Sequence, residues 1–262
     1  MKNLSGFTAL LKKELTIYFA GPIFYITGFF FLVLAGYFFY TNLLYYGLIS
    51  LQAAQQASNP QVAAQMNPQM LVYRPLYQVL AIILIFLVPL LTMRLLAEEK
   101  RSGTWELLFT YPLTDWSIIL GKFGAVLLVY LVFLAFTLSF SVAFSFMTQV
   151  DWGAMAAGYL GMVLLGASCL ALGLFASSLT ENQIIAGVVG FALLLLLWII
   201  GWVQELASGP VGKTMQFLSL LDHYENFTKG VINTRDLVYS VSFTFFFLFL
   251  TKRQLESRRW RA

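Results

Sequence analysis

Charged residues are scarce in this sequence. Only 11% of its 262 residues are Asp, Glu, Lys or Arg, while 60% are hydrophobic, whereas a soluble domain carries roughly 25% charged residues. The mean hydropathy is +0.79, and the apolar residues come in runs instead of at amphipathic spacing. This pattern excludes an ordinary soluble domain and predicts a polytopic helical membrane protein. The net charge of +4 reflects membrane orientation, because the basic residues cluster at the ends of the apolar runs, and no nucleic-acid partner is expected.

Cysteine and histidine are almost absent. The single cysteine, Cys169, lies within an apolar run and cannot form an intrachain disulfide. The single histidine, His223, stands beside Asp222 and Glu225 without a second histidine or cysteine nearby, so a metal site is not expected. The apolar runs also lack paired polar catalytic groups, which argues against a membrane-embedded enzyme. We expect no catalytic, cofactor-binding or metal-binding residue in this chain.

A nucleotide-binding loop is missing as well. Gly212-Lys-Thr ends like the phosphate-binding motif, but Ala207 stands where the first glycine of that motif would be, and no strand precedes it. The chain therefore cannot hydrolyse ATP alone.

Long apolar runs, in contrast, are abundant. A helix crosses a hydrocarbon core of about 30 Å with about 20 residues. The sequence predicts one all-α transmembrane domain over 1–262, with spans at 22–46, 75–96, 118–148, 154–179, 184–203 and 234–251. The last span has a short uncharged part, 237–251, so bilayer thinning or snorkelling of the basic residues that follow is expected.

The ends of several helices carry recognisable signals. Residues 1–20 predict an amphipathic helix in the membrane interface, because Leu4, Phe7, Leu11, Leu15 and Tyr18 recur at three- and four-residue spacing. Thr114 is placed to cap the third span. The run Thr180-Glu-Asn-Gln183 fits a capping box that opens the fifth span.

Six spans place both termini on one side of the membrane. That side holds twelve of the 16 Lys and Arg residues, and the other side holds four, namely Arg74, Lys213, Lys229 and Arg235. By the positive-inside rule, both termini and the segment 97–115 are cytoplasmic. The loops 47–73 and 204–236 then face outward.

The segment 97–115 is densely charged and lies between two membrane-length runs. It must sit in water, because an ionised group at mid-bilayer costs at least about 2.5–3.5 kcal/mol. Its charged start predicts a short helix that Gly103 ends or bends, followed by an apolar knob at 107–109. Exposed apolar clusters usually mark contacts, so the segment suits docking to a cytosolic partner. A plain solvated connector is the alternative.

Hydroxyl side chains line one face of the third span, at Thr137, Ser141, Ser145 and Thr148. They could form a polar wall of a substrate path. They could instead hydrogen-bond to neighbouring helices, as small hydroxyl residues commonly do. Both explanations remain open.

Five motifs lie along the chain. They are Glu98-Glu-Lys-Arg-Ser-Gly-Thr-Trp-Glu-Leu-Leu, Thr110-Tyr-Pro-Leu-Thr-Asp-Trp, Leu120-Gly-Lys-Phe, Leu174-Phe-Ala-Ser-Ser-Leu-Thr-Glu-Asn-Gln and Leu255-Glu-Ser-Arg-Arg-Trp-Arg. The sequence resembles the permease subunits of ABC-2 type ABC transporters, and it is most similar to the gliding-motility-associated subgroup. The resemblance implies a bacterial inner-membrane permease that couples ATP hydrolysis in a separate cytosolic ATPase, which holds ATP and Mg, to export of a substrate.

The same resemblance implies partners and a coupling site. The interfacial helix and a coupling helix between spans two and three would contact the ATPase. The coupling residues would be Glu98, Glu99, Lys100, Arg101, Gly103, Thr104, Glu106 and Leu107. A second permease copy or a related permease is expected, and an auxiliary subunit with an extracytoplasmic domain is a further partner. The alternative function is an ATP-driven mechanical transmitter that moves an extracytoplasmic partner and transports nothing.

Overall fold

A computed structural model describes residues 2–55, 67–103, 114–206 and 217–259. It describes the side chains of all these residues except 2–5, 202–206 and 258–259. Over these residues the chain is helical and contains no strand. The helices are α1 (Lys2–Ala20), α2 (Pro22–Gln55), α3 (Arg74–Thr92), α4 (Ala97–Arg101), α5 (Asp115–Ser145), α6 (Trp152–Leu179), α7 (Gln183–Leu206), α8 (Leu220–Thr228) and α9 (Thr234–Arg259). A π-helical turn, Gln69–Tyr73, leads directly into α3.

Five stretches within the described residues are long and apolar enough to cross a membrane. They are Pro22–Gln55, Gln69–Arg101, Asp115–Ser145, Trp152–Leu179 and Gln183–Gly201. The chain is therefore a multi-pass membrane protein, as predicted. Helix α9 does not join this group, because its uncharged part is short and charges flank both ends. The sixth span stays a prediction.

Helix α6 forms the centre of the bundle. In the most apolar 18-residue stretch of each helix, 72% is buried for α6, against 28% for α2 and 22% for α7. Helix α6 packs against α3, α5, α7, α8 and α9. Glycines make this possible, because a Cβ at Gly158 would overlap the Tyr77 ring and one at Gly166 would overlap the Tyr130 ring. Small residues that let backbones approach are the usual device for packing helices in lipid.

Two helices extend further than the apolar runs predicted. Helix α2 continues past 46 to Gln55, and the helical segment before α3 begins ahead of 75. Tertiary contacts hold the segment before α3: Asn42 Nδ2 donates to the Val72 carbonyl at 3.3 Å, and Gln69 Nε2 donates to the Thr228 carbonyl at 3.1 Å. The segment 47–73, expected to be an aqueous loop that could start as a helical extension of the first span, is helical over 47–55 and 68–73.

The two capping predictions had different outcomes. Thr114 caps α5 as predicted, and its hydroxyl accepts from the Ser117 amide at 3.3 Å. The capping box at 180–183 is wrong, because α7 begins only at Gln183 and Thr180 is the residue that ends α6. Asn182 carries the cap of α7 instead, and its side-chain oxygen accepts from the Ile184 amide at 2.9 Å. The capping residue lies two positions after Thr180 because α6 ends at Leu179 and α7 begins only at Gln183.

Candidate coupling site

Lys122 lies at the centre of a buried ion cluster. Its Nζ is 2.8 Å from Glu14 Oε1 of α1 and 2.9 Å from Glu99 Oε2 of α4, and Glu99 Oε1 lies 3.3 Å from Lys13 Nζ. The side chain of Lys122 is 1% exposed, whereas that of Lys13 is 52% exposed. A buried amine needs charged partners, because desolvation of an unpaired ion costs several kcal/mol. We call Lys13, Glu14, Glu99 and Lys122 the Lys122 cluster; it joins α1, α4 and α5.

Close packing of α1 on α5 brings the cluster together. A Cβ at Gly121 would lie 2.9 Å from Leu10 Cδ2, and one at Gly124 would lie 3.3 Å from Leu11 Cδ1. Glu14 lies one turn after Leu10 on the same face of α1 and so reaches Lys122, which follows Gly121. The apolar face of α1, expected to lie in the membrane interface, therefore also contributes to a protein contact that buries Glu14 at 5% exposure.

Helix α4 is also tied to the end of α6. The Ser177 hydroxyl accepts from the backbone amides of Leu96 at 3.1 Å and Ala97 at 3.2 Å, and it donates to the Met93 carbonyl at 3.0 Å. Lys100 Nζ donates to the Ser178 carbonyl. These bonds satisfy backbone groups that the turn between α3 and α4 frees, which is the usual role of a serine at a break in a membrane helix.

A third contact joins α1 to the end of α3. The Tyr18 hydroxyl donates to the Leu91 carbonyl at 2.6 Å, and the Arg94 guanidinium carbon lies 4.9 Å from the centre of the Tyr18 ring. A guanidinium at this distance from a ring is attracted to its face. Three independent contacts thus fix α1, α4 and the end of α3 as one assembly on the bundle.

The structure separates the predicted coupling residues. Glu98 and Arg101 are exposed on α4, and Gly103 after it has φ +68 with no atom within 4 Å of a built Cβ. This left-handed backbone favours glycine. Glu99 instead points into the Lys122 cluster, so its contact with an ATPase stays a prediction. The predicted residues Thr104, Glu106 and Leu107 lie outside the described residues.

Glu14 and Lys122 were not among the predicted site residues, although they make the closest ion pair of the cluster. A signal was available for Lys122. It stands several residues inside the third helix, ahead of a long uncharged run, and a charge at such a position must be paired or snorkel. Nothing local in the sequence indicated its partner, since Glu14 lies 108 positions away.

Residues 41–221 match the model of a family described as "ABC-2 family transporter protein". The chain belongs to the ABC-2 family of transporter proteins. This family match agrees with the resemblance of the motifs around α4. It does not distinguish the gliding-motility-associated subgroup, which stays a prediction.

Two curated relatives of this ABC-2 protein carry the same name, "Probable multidrug ABC transporter permease YbhR", in Escherichia coli strain K12 and in Escherichia coli O157:H7. Each is 30% identical over 139 residues. The matched region covers 52% of this chain and 37% of the relative. The chain thus aligns with well under two thirds of the relatives' length.

The predicted substrate-path residues of this ABC-2 protein are divided between two environments. Thr137 and Ser141 are fully buried, and their hydroxyls lie 3.2 and 3.4 Å from the Tyr159 hydroxyl of α6. Ser145 is half-buried and bonds within its own helix, and the Thr148 hydroxyl lies 3.4 Å from the Tyr46 hydroxyl. The structure thus provides interhelical hydrogen bonds at three of the four positions, and the substrate path stays a prediction.

The opposite end of the ABC-2 bundle holds a separate polar network around α8. Glu225 Oε1 lies 2.8 Å from Arg74 Nη2 and 3.0 Å from Lys229 Nζ. The hydrogen bond from Lys229, aided by the charges of both cations, lowers the pKa of the Glu225 carboxyl below its ordinary value. Over the described residues, no group of three or more His, Cys, Asp or Glu side chains could hold a metal ion.

Proposed function

We propose that this chain is the transmembrane permease subunit of an ABC-2 type ABC transporter. It couples ATP hydrolysis by a separate cytosolic ATPase to export of a substrate across the bacterial inner membrane. The observation that supports this function best is the fixing of α4 to three other elements by the Lys122 cluster and by Ser177. A plain solvated connector needs no such anchors.

The anchors suit the transmission of force. An ATPase that moves α4 would move α1 and α5 through Lys122, and it would move α6 through Ser177. Buried charge pairs resist separation, because parting them leaves an uncompensated ion at a cost of about 3–5 kcal/mol. Exposed Glu98 and Arg101 and the turn at Gly103 form the docking surface in this proposal, together with the residues that follow. ATP and Mg are held by the ATPase.

We further propose that α9 is the sixth span and that both termini are cytoplasmic. The two ends of α9 contact opposite ends of the bundle: Lys252 Nζ lies 5.7 Å from the Trp116 ring centre at the start of α5, and Asp236 bonds to α8. With 26 residues at about 1.5 Å each, α9 is long enough to cross a hydrocarbon core of about 30 Å. The excess of Lys and Arg on the α4 side supports the orientation.

The permease would act as a dimer with a second copy or a related permease. The most apolar stretches of α2 and α7 leave most of their surface uncovered in the single chain, and such surfaces meet either lipid or another helix. The name of the Escherichia coli relatives favours a small-molecule cargo.

Mechanical transmission to an extracytoplasmic partner is the second candidate. The turn between α5 and α6 exposes Phe146 at 86% and Met147 at 80%, on the side that the orientation places outside. Exposed apolar side chains at an aqueous turn suit contact with an auxiliary subunit that has an extracytoplasmic domain.

The test is charge reversal on the exposed side of α4. Glu98→Lys combined with Arg101→Glu should lower both co-purification of the ATPase and ATPase activity in the assembled complex, while leaving the permease folded. Arg235→Glu reverses an exposed charge at the other end of the bundle and serves as the control. Unchanged co-purification and activity in the α4 variant would overturn the coupling role. Uptake of a fluorescent drug into inverted vesicles then distinguishes export from mechanical transmission.

A further inference from the structure

The only histidine of the chain is buried at the end of the bundle opposite α4. His223 of α8 is 5% exposed. Its Nδ1 lies 2.6 Å from Asp236 Oδ1 in the first turn of α9, and its Nε2 lies 3.2 Å from the Phe217 carbonyl oxygen. Both ring nitrogens therefore face oxygen atoms that normally accept hydrogen bonds.

The hydrogen-bonding needs of these contacts can be stated atom by atom. A carbonyl oxygen can only accept, so Nε2 must carry a hydrogen to bond with Phe217. The short contact of Nδ1 with Asp236 needs a second proton between the nitrogen and the carboxylate. Asn226 Nδ2 donates to the other carboxylate oxygen at 2.7 Å, so that oxygen already accepts a hydrogen bond. An imidazolium paired with a carboxylate would satisfy all of these contacts.

The surroundings of the ring support a positive charge. The Tyr239 ring of α9 is stacked on the imidazole with centroids 4.0 Å apart, which favours a cation at its face. Besides Asp236, the charged residues of α8 and of the first turn of α9 are Asp222, Glu225 and Arg235. Arg235 is directed over the Phe217 ring at 5.4 Å, and Glu225 is bonded to its own two cations.

We propose that His223 and Asp236 form a proton-binding latch that holds α8 and the segment before it against the start of α9. With the second proton bound, one ring joins Phe217, α8 and α9. When the ring loses that proton, only one N–H remains for two acceptors, and one of the two contacts becomes a repulsion between lone pairs. The latch therefore closes at lower pH and loosens as pH rises.

Opening of the latch would reach the membrane helices. The Tyr224 hydroxyl, next to His223 on α8, donates to the Tyr77 carbonyl of α3 at 3.0 Å. Movement of α8 thus alters the outer end of the second span. The latch itself does not depend on the proposed permease function, but the compartment whose pH it senses follows from the proposed orientation.

A single histidine makes the test direct. The full-length protein, purified without a histidine tag, is labelled with ¹⁵N-histidine in lipid nanodiscs, so that every imidazole signal belongs to His223. The ring signals are followed from about pH 5 to about pH 9, and we expect the ring to carry two protons while the latch is closed and one after it has opened. Over the same range, amide exchange of 217–228, corrected for intrinsic base catalysis, should accelerate at least tenfold.

Two variants separate the latch from general pH effects. Asp236→Asn removes the carboxylate and should shift both the loss of the proton and the onset of exchange to lower pH. Glu225→Gln removes a carboxylate that does not bond to the ring, and it should shift the His223 titration much less than Asp236→Asn does. A neutral ring throughout the range in the wild type, or exchange that does not follow the titration, would overturn the proposal. The wild-type measurement decides it even if a variant fails to fold.

Discussion

Removal of the buried amine of Lys122 is the sharpest perturbation of the coupling site. Lys122→Met keeps most of the side-chain volume and deletes the charge. Glu14 and Glu99, whose side chains are 7% and 12% exposed, then lose the cation that lies within 3 Å of each. Lys13 remains near Glu99, but its side chain is half exposed, and the ion pair it makes is with Glu99.

The expected cost follows from the burial of these groups. Breaking a buried ion pair by removing one partner destabilises a protein by about 3–5 kcal/mol, because the remaining charge is left uncompensated. By the scaling of soluble domains with 150–250 residues, this corresponds to roughly 6–20 °C in Tm. Lys13→Met removes an exposed charge from the same cluster and should cost no more than about 1 kcal/mol.

A double-mutant cycle assigns the loss to the pair. Glu14→Gln together with Lys122→Met should cost less than the sum of the two single variants, since Glu14 no longer leaves an unpaired carboxylate when Lys122 is removed, and Glu99 keeps Lys13 as a partner. Unfolding is followed by tryptophan fluorescence of the purified protein in detergent. A loss for Lys122→Met no greater than that for Lys13→Met, or strict additivity in the cycle, would refute the argument that Lys122 is a buried structural cation.

Three further predictions concern other contacts. Ser177→Ala should destabilise the protein by about 1–3 kcal/mol and lower the coupled ATPase activity, because it leaves two buried amides without an acceptor. Ser178→Ala, which loses only a bond to its own helix, is the matched control in the same unfolding assay. Gly166→Ala should cost at least about 1–3 kcal/mol through overlap with Tyr130, and a normal Tm for the purified variant would contradict the packing at the centre of α6. The pKa of Glu225 is lowered in the folded protein. Its contribution to the free energy of unfolding is therefore fully present above the pKa of the unfolded chain, about 4.3, and is lost as pH falls through the pKa of the folded protein. The difference in Tm between wild type and Glu225→Gln should shrink on acidification below about pH 4, and a constant difference would count against the ion pairs.

The membrane character and most of the helix positions could be predicted from the sequence. Uncharged runs of about 20 residues form helices in lipid because each backbone group must be bonded within its own segment, and this requirement is local. The cap at Thr114 was predictable for the same reason, since its hydroxyl bonds to an amide three residues away.

The site itself depended on packing between distant segments. The sequence predicted an interfacial helix for α1 and contact with an ATPase for Glu98 and Glu99 of α4. Nothing in the spacing of these charges indicated that Glu14 and Glu99 would share Lys122. The same holds for Asp236, whose partner His223 lies on α8, 13 positions earlier. Helical periodicity records which face of a helix is apolar, whereas the choice of ion-pair and hydrogen-bond partners is decided by how closely backbones approach. Here glycines at 121, 158 and 166 permit that approach, and it becomes visible only when the helices are packed.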